Sequence, residues 1–169
     1  AKPLLDFYQR GGVAPPELLP IDGADMPEPF RKLLVHADDM TPTLEHFHGA
    51  RIHLRMVNRE VTEIAYTREV ILEAGDKNQP VEFGAITIHL EQFPEAARES
   101  ILGESVPLGT ILADHTILHQ SCPQAYFRVN SDPLITEALG LPDSTELYGR
   151  CNIHRNLNGN HLAEIVEIL

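Results

Sequence analysis

Cysteine is nearly absent from the 169-residue chain, which holds only two. Two thiols cannot build a disulfide framework or a four-cysteine zinc site. No apolar run approaches the ~18 residues that cross a bilayer. The opening Ala1-Lys-Pro-Leu-Leu-Asp-Phe also lacks the apolar core of a secretory leader. The first residue is Ala rather than Met, which suggests trimming. Cytoplasmic residence is the expectation, with Cys122 and Cys151 reduced and half-buried on strands. Positive charge is scarce as well. There are 13 Lys and Arg against 25 Asp and Glu, a formal net charge of −12. Nucleic-acid binding needs a basic footprint, so neither nucleic acid nor a membrane is expected as a partner. An acidic field repels anions at long range, so an anionic ligand would need a buried cation of its own. A glycine-rich phosphate loop is missing, because Gly11-Gly12 precedes no strong strand–helix unit. Ser100, Ser105 and Ser121 lack the G-x-S-x-G elbow of a serine hydrolase.

What remains suffices for one domain. Apolar residues make up 43% of the chain, enough for a single core. Residues 1–25 are turn-rich and read as a loosely attached arm. A short helix is expected from Pro27 to His36. A second has Thr41 as N-cap, Pro42 at its first position and Gly49 as its stop. Ile52, Leu54 and Met56 alternate with charged residues, the period of a strand. Residues 62–73 and 81–90 form two more strands around the Gly75-Asp-Lys-Asn turn. Pro94 and Pro107 open a second pair of short helices. Extended segments follow over 117–129. Asp132-Pro133 starts a short helix that ends at Gly140. Residues 147–155 and 162–169 form a hairpin across Asn158-Gly159. The order lacks the βαβ rhythm of a parallel sheet. It predicts an α+β fold: one antiparallel sheet of about six strands, with helices on one face and at the edges. A monomer or weak dimer is expected.

Candidate chemistry starts at Arg68. Side chains two apart share a strand face, so Arg68 falls in the row of Ile64, Tyr66, Val70 and Leu72. A buried guanidinium is costly unless paired, and it fits a carboxylate in a fork. Arg68 is therefore either half of an internal ion pair or the anchor for a ligand carboxylate. The last strand carries Glu164, in the row of Leu162, Val166 and Ile168, and Glu167, in the row of Ala163, Ile165 and Leu169. Alternation alone leaves open which acid faces inward. A buried Glu is a proton donor near neutrality, because burial raises its pKa. Nine histidines are present. None shows a known zinc spacing, and His46 and His48, two apart on a helix, do not share a face. Neither metal nor organic cofactor is expected.

Four segments, in order, resemble the chorismate lyase family, including its DUF98-type relatives. They are Leu33-Leu-Val-His-Ala-Asp-Asp-Met-Thr-Pro-Thr-Leu-Glu, Tyr66-Thr-Arg-Glu-Val-Ile-Leu, Val106-Pro-Leu-Gly-Thr-Ile-Leu, and Leu147-Tyr-Gly-Arg with the Asn158-Gly turn and a Glu on the closing strand. The resemblance covers roughly residues 33–169. It implies an antiparallel sheet under two helix-turn-helix flaps. It also implies a cofactor-independent lyase that removes pyruvate from chorismate to leave 4-hydroxybenzoate. Carried over by position, Arg68 binds a carboxylate, and Met40, Leu108 and Gly109 contact the ligand from the flaps. The closing-strand Glu serves near the hydroxyl end, as catalytic proton donor or as hydrogen-bond partner. The family's further Arg after the hairpin glycine is Ala85 here, with Arg150, Arg128, Arg55 and His154 as possible substitutes. Counting from Gly159 places the acid at Val166, whereas aligning the strand end selects Glu167, with Glu164 second. The expectation is such a lyase, or a variant acting on another small carboxylate. The alternatives are a non-catalytic small-carboxylate-binding module of the same fold, or a repurposed enzyme on this scaffold.

Overall fold

Period-two runs and the turns between them assemble one sheet. The computed structural model describes every residue except Glu63, Ile64 and Asp143. Its strands are β1 (Leu19–Ile21), β2 (Ile52–Val61), β3 (Tyr66–Ala74), β4 (Gln79–Ile88), β5 (His119–Asn130), β6 (Glu146–Asn156) and β7 (His161–Ile168). They lie in the order β1-β5-β6-β7-β4-β3-β2, and every neighbouring pair is antiparallel. Gly75 turns β3 into β4 at φ 66°, and Gly159 turns β6 into β7 at φ 83°. Both angles suit a residue without a Cβ.

The helices are α1 (Lys2–Arg10), α2 (Phe30–Leu34), α3 (Met40–His48), α4 (Glu95–Leu102), α5 (Leu108–Asp114) and α6 (Pro133–Leu139). They cover both faces of the sheet, not one face and the edges as expected. On one face Ile71, Phe83, Ala85, Val166 and Ile168 pack with Leu4 and Tyr8 of α1 and with Ile135 and Leu139 of α6. On the other, Val70, Leu72 and Leu169 lie under α2 and α3. Ile86, Ile88, Ala163 and Ile165 lie under α4 and α5. The two helix pairs meet where Gly109 passes Thr41. A Cβ at Gly109 would stand 2.8 Å from the Thr41 hydroxyl.

The sheet has seven strands, in keeping with the expected antiparallel sheet of about six, and the short β1 adds an edge beside β5. Three details are corrected. Residues 1–25 are not a loose arm: Leu4 and Tyr8 are 0% and 1% exposed. Each such side chain contributes roughly 1.5–3 kcal/mol of burial. The helix expected to be capped by Thr41 has its N-cap at Asp39 and starts at Met40. The strand expected from residue 62 begins at Tyr66. Ile64, placed in the Arg68 row by alternation, lies outside the described residues.

Candidate functional site

The register of the central strands decides which side chains face the flaps. Arg68 is opposite Ile86, Val70 opposite Gly84, and Leu72 opposite Glu82. Gly84 is opposite Glu167, and Ile86 opposite Ile165. Glu167 is in turn opposite Arg150. Directly opposed residues share a face. Arg68, Glu82, Glu167 and Arg150 therefore all stand on the side covered by α2 to α5. Glu164, opposite Thr87 and Ile153, stands on the other side, within 3.7 Å of His89 and 3.3 Å of His161. The catalytic role expected as second choice for Glu164 is thus corrected: it is partly exposed and faces away from the flaps.

One irregularity explains the ambiguity over the closing acid. His154 pairs with Ala163 and Arg155 with His161, so Leu162 is an extra residue on β7. That bulge absorbs one position. It moves the inward-facing residue from Val166, where the count from Gly159 puts it, to Glu167.

Between sheet and flaps lies a cavity of about 50 Å³, room for the centres of a few water-sized groups. Its walls include Arg68, Glu82, Glu167, Asp39 and His154, with Met40, Leu108 and Gly109 from the flaps. Leu54, Val70, Leu72, Ile86 and Ile165 supply an apolar body. Met40 and Leu108 are the first residues of α3 and α5, so the flaps close the space with their starting turns.

The two buried arginines have opposite fates. Arg150 is 0% exposed. Its Nε and Nη2 hold the two oxygens of Glu167 in a fork. The same guanidinium donates to the carbonyls of Leu34, His36 and Asp38, which ties the loop between α2 and α3 to the sheet. Glu167 is therefore a structural partner of Arg150. Arg68 is 1% exposed and uses a single donor, Nη2, on the Val106 carbonyl at 3.4 Å. Among the described residues its buried Nε and Nη1 have no hydrogen-bond partner. Burial pulls the guanidinium below its ordinary value, offset in part by Tyr66 and Glu104. Glu104 is itself engaged by Arg59 and by the Tyr66 hydroxyl.

Glu82 was missed from the sequence. It is 4% exposed, and its Oε2 has no partner. Burial, reinforced by the nearby Glu167 charge, pushes its carboxyl well above the usual range. The shift favours the protonated form, which can donate a hydrogen bond into the pocket. The available signal was its row: Gly84, Ile86 and Ile88 share its face and are all non-polar.

The remaining candidates for the role vacated at Ala85 divide cleanly. Arg128 pairs with Glu146 at the surface, and Arg55 with Glu73. Ala85 itself packs into the cluster on the opposite face. His154 borders the pocket beside Asp39, at 3.6 Å, and His119 approaches Asp39 at 2.9 Å. Burial pushes His154 down to about 4. The hydrogen bond to Asp39 raises His119 against the effect of its burial.

No protein-family model matches the chain, and no curated protein matches it in sequence. Solved structures do share its fold. PhnF from Mycobacterium smegmatis superposes with a TM-score of 0.61 at 9% identity, over 80% of this chain and 65% of that one. The effector domain of the same PhnF gives 0.57 at 9% identity, over 77% and 86%. The ligand-binding domain of a candidate GntR-family transcriptional regulator from Bordetella bronchiseptica gives 0.53 at 13% identity, over 71% and 85%. The fold is chorismate lyase-like, in the form found in the C-terminal domains of GntR regulators. The chain spans just under two thirds of the whole PhnF chain.

These likenesses overturn the expected lyase. The solved structures that share this fold are described as transcriptional regulators or as their ligand-binding and effector domains, and none as a lyase. The site agrees: the closing-strand acid that a lyase would use is held in a fork by Arg150. Among the described residues no helix is long and apolar enough to cross a membrane.

Proposed function

We propose that this domain is a non-catalytic sensor of a small molecule bearing one carboxylate, held between the sheet and the flaps. One observation carries the reading. Arg68 is a fully buried cation at the wall of a cavity, and two of its nitrogens, Nε and Nη1, have no hydrogen-bond partner among the described residues. An unpaired buried charge costs several kcal/mol unless something arrives to pair with it. A single guanidinium matches a single carboxylate. The apolar lining suits an apolar body, a ring-sized one only with the flaps parted beyond the present space of about 50 Å³, and the Glu82 carboxyl, whose protonated form burial favours, offers a polar contact four residues along the sheet from the Arg68 row.

Met40 and Leu108 contact the ligand in this reading, and Gly109 lets the flaps close over it. Binding is read out by the flaps, whose position depends on what lies beneath them. The regulator domains of like fold favour this signalling role, with the chain acting in the cytoplasm.

The test is a thermal-shift screen of small monocarboxylic acids, each paired with its primary amide. Benzoate with benzamide and 4-hydroxybenzoate with its amide belong in the set. The expected result is stabilisation by one or more acids and by none of the matching amides. Amides that stabilise as well as their acids, or acids that all fail, would count against the proposal.

A further inference from the structure

We propose that Asp39, His119 and His154 form a binding site for a divalent transition-metal ion at the edge of the pocket. Their ligand atoms all lie within 4.8 Å of one another. The His119 Nε2 is 2.9 and 3.0 Å from the two Asp39 oxygens, and the His154 Nε2 is 3.6 Å from one of them. A tetrahedral ion with bonds of about 2.0–2.1 Å holds its ligands roughly 3.3 Å apart. The observed spacings bracket that value, so small side-chain adjustments suffice.

Two further observations separate this cluster from an ordinary His–Asp pair. His154 is 3% exposed, yet neither of its ring nitrogens has a hydrogen-bond partner among the described residues. A buried imidazole left so costs free energy that a bound ion would recover. The His119 ring is fixed from behind, because its Nδ1 lies 2.9 Å from the Ile117 carbonyl. Donation from Nδ1 leaves the Nε2 lone pair directed at Asp39, and that outer bond is the usual support of a metal-bound histidine. Without an ion, that geometry requires a second proton on the ring.

The scaffold brings the three together by means invisible in the sequence spacing. Ser121 is opposite His154 in the β5–β6 ladder, so His119 is the diagonal neighbour on the same face. Asp39 arrives as the N-cap of α3. Two imidazoles and one carboxylate suit Zn²⁺, Fe²⁺ or Co²⁺ and leave coordination positions open. Since Asp39 and His154 also line the pocket, those positions adjoin it. The nearby Arg150 charge is matched by Glu167. This inference stands apart from the carboxylate reading: the ion binds whether or not Arg68 holds an acid.

The experiment titrates chelator-treated chain with Zn²⁺ by calorimetry and with Co²⁺ by visible absorption. It uses a His89→Gln, His161→Gln background, which removes the separate surface cluster of His89, His161 and Glu164. The expected result is one equivalent bound, with a Co²⁺ spectrum of low-coordinate nitrogen–oxygen type. His119→Gln and Asp39→Asn, both at partly exposed positions, should each weaken binding by ~10–100-fold or more. His154→Gln should do the same, and the other two variants decide the matter should it fail to fold. An absence of binding in the background chain would overturn the site, as would binding unchanged by His119→Gln and Asp39→Asn.

Discussion

Arg150 stands on the strand next to Glu167 and directly opposite it, Arg68 two strands away, and only Arg150 holds the acid. The fork between Arg150 and Glu167 leaves Arg68 as the buried cation that awaits a partner. A second buried charge on the opposite face shows how burial alone tunes a residue. Glu69 is 1% exposed, with both oxygens unbonded and Arg10 at 3.5 Å. Burial pushes its carboxyl up to about 7, with Arg10 opposing and Glu60 assisting. The folded state therefore holds a proton that the unfolded chain releases above its ordinary value of 4.5. This contribution to stability is fully present below pH ~4.5 and is lost as pH rises through ~7. Glu69→Gln should remove that loss. Urea unfolding at pH 5 and pH 8 should show a smaller drop for the variant than for the parent chain. An equal drop in both would show that Glu69 titrates alike in the folded and unfolded chain.

The flaps are short helices that depend on packing for their order, because elements of five to nine residues are not stable alone. Ligand beneath them should slow hydrogen exchange over residues 36–48 and 103–112. Exchange there that ignores a saturating acid would mark the flaps as fixed walls. The sheet under them tolerates no added bulk at Gly149, where a Cβ would run into the Phe127 ring and lie 2.5 Å from the Glu167 carbonyl. Gly149→Ala should cost ~1–3 kcal/mol or more by denaturant titration, since it separates β5 from β7. Much of this architecture was legible in the sequence. Period two marked the strands, Pro94 and Pro107 marked the second helix pair, and the row of Arg68 was readable because β3 is regular past it. The choice between Glu164 and Glu167 was not legible, because a bulge at Leu162 is a property of the paired strands. Glu82 was hidden near the turn, where charged residues are ordinary. The Asp39–His119–His154 cluster needed the β5–β6 ladder and the fold-over of α3, and no local spacing encodes either. The lyase expectation rested on motifs that belong to the fold, and a fold does not fix a function.

Across the whole molecule, the net charge of −12 surrounds the pocket proposed to take a carboxylate. The field repels an approaching carboxylate, and salt screens that repulsion. The association rate of a bound acid should therefore rise with ionic strength, the reverse of electrostatic steering. Stopped-flow measurements at low and moderate salt would check this, and a rate that falls with salt would locate a basic approach not evident in the chain. Global stability reports whether Arg68 is an unpaired buried cation. An unpaired buried cation destabilises the empty domain, whereas a cation with a structural role stabilises it. Denaturant unfolding of the parent chain and of Arg68→Met, each without ligand and with a stabilising acid, separates the two. The empty variant should be more stable than the empty parent, by of order 1–4 kcal/mol, and the acid should stabilise only the parent. A variant that is less stable when empty, or that still responds to the acid, would contradict the carboxylate reading.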